Sequence, residues 1–140
     1  MLELGLRGSV SGLALIRAAE AMLQALGGAE LCMLFPGATV AEDPALQLGL
    51  STPEVEEVRL HPAAVRNLGR RPGETETRLE FLVPASAVQG KVEARQSTSA
   101  KAFFDAALGI VHEGRLLRIE SAEPDFFAGT AYLFRITAVE

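Results

Sequence analysis

Cysteine is all but missing from this sequence: Cys32 is the only one in 140 residues, so no disulfide can form within the chain. It lies in the apolar run Leu31-Cys32-Met33-Leu34-Phe35, where a free thiol is expected to behave as a small buried hydrophobe. Long apolar runs are missing too, since none approaches the roughly 18 residues that a membrane-spanning helix needs. The amino terminus, Met1-Leu2-Glu3-Leu4-Gly5-Leu6-Arg7, lacks the basic region and long apolar core of a secretory signal, and a cytoplasmic protein is expected. An excess of positive charge is also lacking. The formal charge is -5, which disfavours gripping nucleic-acid phosphates, because that attraction needs clustered Lys and Arg to displace counterions.

What is present is the balance of an ordinary globular protein, 49% apolar and 22% charged, at a length suited to one domain over residues 1–140. Leu2, Leu4 and Leu6 alternate, which suits a short strand or extended arm. Leu13, Ile16, Ala19, Leu23 and Leu26 recur at three- and four-residue steps and predict a helix over 13–26, capped by Ser9 or Ser11 and ended by Gly27-Gly28. Leu31–Phe35 reads as a buried strand closed by the turn former Pro36-Gly37. Ala38–Pro44 is polar and turn-prone, Leu46, Leu48 and Leu50 alternate, and Val55–Leu60 suits a strand stopping before Pro62. Asn67–Glu74 reads as a loop. Thr77–Val83 suits a half-buried strand, with Leu79, Phe81 and Val83 facing in and Arg78 and Glu80 facing out. Ser97–Leu108 returns to helical spacing with Gly109 as its C-terminal cap. The remainder reads as an antiparallel meander: Ile110-Val111, a turn at Glu113-Gly114, Leu116–Glu120, a loop through Pro124, Asp125 and Gly129, and Ala131–Val139. The fold class expected is α+β, a mostly antiparallel sheet or partly open β-barrel with an N-terminal helix and a second helix before the C-terminal meander.

Catalytic patterns fail on their spacing. His112-Glu113-Gly114 has Leu116 where a zinc helix motif needs a second histidine, and His61, His112 and Cys32 are far apart in sequence. Gly8-Ser9-Val10-Ser11-Gly12 has Val10 where a nucleophile elbow needs serine, and it reads as a flexible lead into a capped helix. No glycine-rich loop is followed by Lys and Ser or Thr as in a nucleotide cradle. Glu54, Glu56 and Glu57, and likewise Glu120, Glu123 and Asp125, read as solvated charged edges rather than acid–base pairs. No catalytic residue, metal or cofactor is expected, and the chain is not expected to be an enzyme.

Two features suit contacts between proteins. Arg66, Arg70 and Arg71 cluster on the predicted loop, where guanidinium groups can bind carboxylates or phosphates bidentately. Phe126 and Phe127 follow Glu123-Pro124-Asp125 in a predicted loop, and adjacent aromatics cannot both face inward on a regular element. They serve either as exposed interface anchors or as a cover over the domain's own core.

The C-terminal third carries a family resemblance. Phe103-Phe104-Asp105-Ala106-Ala107-Leu108-Gly109-Ile110-Val111, Gly114-Arg115-Leu116-Leu117-Arg118-Ile119-Glu120-Ser121-Ala122-Glu123-Pro124 and Gly129-Thr130-Ala131-Tyr132-Leu133-Phe134-Arg135-Ile136 resemble the ending of small neck proteins of tailed bacteriophages and prophages. The resemblance covers roughly the last forty residues and rests on patterning rather than an invariant motif. It implies a head–tail joining protein, of the head-closure (stopper) type or, in competition, of the tail-terminator type. Such a protein would form a ring of its own copies, contact portal or adaptor and tail proteins, and let double-stranded DNA pass without reading it. It would reside in the virion, and in the host cytoplasm during assembly. An acidic lumen would let the duplex slide. Ring closure needs two different patches. The arginines Arg66, Arg70 and Arg71 are expected on one side, and Glu123, Asp125, Phe126 and Phe127 on the other.

Overall fold

The computed structural model describes residues 2–37 and 54–140, with the side chains of the first helix placed from Gly12 onward. In chain order these residues form α1 (Leu2–Ala25), β1 (Ala29–Pro36), β2 (Val55–Gly69), β3 (Arg78–Pro84), α2 (Ala85–Ala94), α3 (Ala100–Ala106), β4 (Gly109–His112), β5 (Arg115–Phe127) and β6 (Thr130–Val139). The strands pair in the order β1-β2-β3-β6-β5-β4, every pair antiparallel, and β4 returns to β1. The fold is α+β as expected, with the barrel closed rather than partly open. The turn-prone stretch at 38–44 and the alternation at 46–50 lie outside the described residues.

Side chains alternate across a strand, so one face of each strand fills the barrel. Leu31, Met33 and Phe35 from β1, Val58 and Leu60 from β2, Phe81 and Val83 from β3, and Phe134, Ile136 and Ala138 from β6 share that core. Two reversals are two-residue turns with left-handed dihedrals, Glu113-Gly114 and Ala128-Gly129, the geometry whose twist matches that of the flanking strands. The predicted loop from Pro124 to Gly129 therefore shrinks to its last two residues, and β5 runs on through Phe127. Pro124 is tolerated because β5 pairs there with β6 alone, and its missing N–H deprives no second neighbour.

Several expectations are corrected. The amino-terminal segment is helical from Leu2, not a strand or arm, so neither Ser9 nor Ser11 caps the helix and residues 8–12 are not a flexible lead. Its glycine end is as expected: Gly28 is left-handed and its N–H donates to the Leu23 carbonyl. Of the predicted buried stripe, Ala19 and Leu23 are covered, whereas Leu13 and Leu26 are exposed. Strand β2 does not stop before Pro62. It pairs with β1 up to Ala63 and with β3 from Ala64, so the proline sits where the strand changes partners. The strand continues to Gly69, which moves the loop from 67–74 to 70–77.

Helix α2 was not anticipated. Pro84 forms its N-cap, and Ala85, Val88 and Val92, at helical spacing, pack on the barrel core. Helix α3 is shorter than its pattern. The Ser99 hydroxyl accepts from the Ala102 N–H at 3.1 Å, and the helix ends as Ala107 turns extended. Gly109 is thus not a cap. It opens β4, where an added Cβ would fall on the carbonyl oxygen of Leu117 in β5.

Strand lengths explain the position of α3. β4 has 4 residues and β5 has 13, so above Gly109 nothing among the described residues pairs β5 to β1. Phe103 and Phe104 fill that gap in a chain of aromatic contacts: Phe35 to Phe103 at 5.1 Å, Phe103 to Phe104 at 5.2 Å and Phe104 to Phe134 at 5.6 Å between ring centroids. Replacing fully buried Phe103 by Ala is expected to cost about 3–5 kcal/mol in urea denaturation. Leu116→Ala, on an exposed side chain, should stay within about 0.5 kcal/mol.

Candidate interaction surfaces

The outer face of β2, β3 and β6 is divided in two. Its apolar part, Ala64, Leu82 and Leu133, lies under Ala19 and Leu23 of α1. Polar contacts fix the helix there, Gln24 with His61 at 3.2 Å and the Ser86 hydroxyl donating to Glu20. Two residues further along each strand, the same face becomes ionic. Arg66 stands opposite Glu80, with Nη2 2.7 Å from Oε1, and Arg135 Nη1 approaches the other oxygen of Glu80 at 3.7 Å. Arg135 then donates to Asp125 at 2.7 Å. Four alternating charges thus cross the sheet from β2 to β5.

Glu80 and Arg78 were expected on an exposed face, yet only 5% and 8% of their surfaces reach solvent. The long arginine side chains cover them. The Oε1 of Glu80 lies out of line with the N–H directions of Arg66, so its contact is coulombic without a hydrogen bond. Arg78 bridges Glu74 and Glu120, donating to Glu120 from Nε at 2.9 Å. Arg71 approaches Glu120 at 3.8 Å. The hydrogen bond from Arg78 holds the Glu74 carboxyl below the usual glutamate range.

The residues singled out for contact with a neighbour are therefore in different situations. Arg66 and Arg71 have carboxylate partners within the chain, and Asp125 is paired with Arg135. Arg70 reaches only the Thr77 hydroxyl, at 3.5 Å, and Glu123 has no ion pair among the described residues. Phe126 and Phe127 lie on the last residues of β5, not in a loop, and both are exposed, at 64% and 53%. A register shift between Asp125 and Phe126 interrupts the strict alternation.

Where β5 outruns β4, its side faces α3 across a groove of about 760 Å³. Phe104, Leu108, Pro124 and Phe126 line it, with Lys101, Asp105, Arg118, Glu120 and Glu123 along its borders. Sequence reasoning missed this groove, because it arises from the unequal lengths of two strands that no local pattern encodes. A smaller cavity of about 460 Å³ opens at Val65, Asn67, Thr77, Leu79 and His112. There the His112 ring meets the edge of Phe81 at 5.5 Å between centroids.

Among the described residues, no three His, Cys, Asp or Glu side chains are grouped to hold a metal ion. Cys32 is half-buried on the outside of the strand instead of inside the core. Desolvation, together with nearby Glu57, pushes its thiol up, which lowers its nucleophilicity at neutral pH. No described helix is long and apolar enough to cross a membrane. Comparison with protein-family models, curated proteins and solved structures finds no match.

Removing the buried carboxylate with Glu80→Ala leaves Arg66 unmatched and Arg135 with Asp125 alone, and a loss of about 1–3 kcal/mol is expected in chemical denaturation. Lys101→Ala, which breaks an exposed pair with Asp105, should cost no more than about 0.5 kcal/mol. Because the folded Glu74 carboxyl titrates below its unfolded value, its ion pair stabilises the fold above the usual glutamate pKa of about 4.3. That contribution is lost as pH falls through the folded value. Glu74→Gln should therefore flatten the acid limb of a stability-versus-pH curve.

Proposed function

We propose that this protein is a structural subunit of a phage-type head–tail connector, which forms a ring with its own copies between portal or adaptor and tail. The observation that carries the reading is the distribution of exposed apolar side chains. Among the described residues five of the ten large exposed apolar side chains fall on two different surfaces: the outside of α1, with Leu13, Met22 and Leu26, and the end of β5, with Phe126 and Phe127. Exposed apolar patches of this kind mark sites of association, and two unlike patches suit head-to-tail contacts that close into a ring.

Further support comes from the resemblance of the last forty or so residues to phage neck proteins and from the acidic balance of the chain. A formal charge of -5 favours passage of DNA over binding it. The pairing of Arg66 and Arg71 within the chain shifts emphasis away from an arginine patch as the source of intersubunit charge. Arg70 then remains as the member of that cluster available to an adjoining protein. The same features fit a tail-terminator ring of such a particle. In either case the protein acts by assembly, resides in the virion and takes no cofactor.

Light scattering and negative-stain microscopy of the purified chain test this reading. Closed rings of uniform diameter are expected at micromolar concentration and above. A strict monomer at every concentration, or open aggregates without a defined ring, would overturn it.

A further inference from the structure

We propose that adjacent copies join by seating the outer face of α1 from one copy in the groove between α3 and β5 of the next. This rests on the ring-forming role above and names the surfaces that build it.

The first half of the argument is a helix with too little polarity. At 3.6 residues per turn, Ala14, Ala18, Ala21 and Ala25 fall along one line, opposite the buried Gly12, Ala19 and Leu23. Met22 flanks that line and is 48% exposed, while Leu13 and Leu26, nearer the buried side, are 49% and 64% exposed. A helix with one wet face normally carries charges on it, whereas a helix that is apolar all round is a buried one. From Gly12 to Leu26 the wet arc carries a single charged side chain, Arg17. Two further contacts keep α1 from rotating to hide these residues: Gln24 is held to His61, and Ser86 donates to Glu20.

The second half is a groove that the described residues leave unfilled. Its walls are apolar, from Phe104 and Leu108 on one side to Pro124 and Phe126 on the other. At about 760 Å³ it has the size of a ligand cavity, but its polar groups lie along the borders and do not converge on one point. A ridge of side chains suits that shape better than a small molecule.

Charge sets the register. The borders hold three carboxylates, Asp105, Glu120 and Glu123, against two cations, Lys101 and Arg118. Asp105 and Glu120 have partners within the chain, and Glu123 has none among the described residues. Arg17 likewise has no ion pair among them. Seating Arg17 beside Glu123 satisfies both, and five residues of strand, about 16 Å, separate that point from Arg118. Pairing two α1 helices about a two-fold axis would instead leave the groove unfilled. Ridge and groove are different surfaces of one chain, so the contact is heterologous and a suitable rotation closes it into a ring.

Single-cysteine chains give the test, on a Cys32→Ser background with Ala18→Cys in one chain and Ser121→Cys in the other. A short bismaleimide is expected to link the mixed chains and neither chain alone. In the chain with its native cysteine, Arg17→Glu and Glu123→Arg should each weaken self-association by about tenfold, and the double exchange should restore most of it. Rings that form without the Ala18–Ser121 link, and that neither reversal weakens, would overturn this contact and leave the ring role standing. Linkage of Ala18→Cys chains to one another would overturn it in favour of paired helices. Monomers in the unsubstituted chain would end the ring role and this contact together.

Discussion

A mismatch in strand length governs the rest of the molecule. The barrel closes because β4 joins β5 to β1, yet β4 spans only 4 residues beside the 13 of β5. Above that short bridge the wall has a gap, and open backbone beside an apolar interior is costly unless something covers it. Phe103 and Phe104 supply the cover from α3, linked to Phe35 and Phe134 on either side. A helix cannot hydrogen-bond along a strand edge as another strand would, so the repair leaves a groove. That groove is a consequence of how the barrel is closed.

Charge follows a similar logic. Long arginine side chains from the outer face lie over Arg78 and Glu80, and carboxylates of β3, β5 and the loop before β3 balance them. Burying a carboxylate costs free energy that only opposite charge and hydrogen bonding offset, and Glu80 is offset mainly by coulombic contact. The ladder is better understood as fixing the register of β2, β3, β6 and β5 than as a source of large net stability. With these charges paired inside the chain, the surfaces proposed for other proteins are largely apolar, and Arg17, Arg70 and Glu123 are among the charges with no ion pair among the described residues.

Among the described residues, barrel closure leaves strand edge unpaired along β5 beyond Leu117, but α3 stands across the groove from that edge. Association must then use side chains, through the outside of α1, the end of β5 and the groove beside α3. These are unlike surfaces on one chain, the arrangement that head-to-tail assembly requires. The proposed place in a phage neck joins that geometry to the resemblance in the C-terminal third.

The sequence by itself determined the local elements whose signal is local. The alternation of Leu79, Phe81 and Val83, the Glu113-Gly114 turn and the glycine end of α1 are written in neighbouring residues, and each stands where it was read. Periodicity also led it astray in α1, where Leu13 and Leu26 share the spacing of Leu23 but meet no partner. It failed at Pro62, since a strand may pass through proline where it changes neighbours. Only the tertiary structure decided that Arg66 faces Glu80, that Glu80 is buried and that β5 outruns β4 to leave a groove. Those facts depend on register and on the lengths of strands distant in sequence, and the physics that sets them acts across the barrel rather than along the chain.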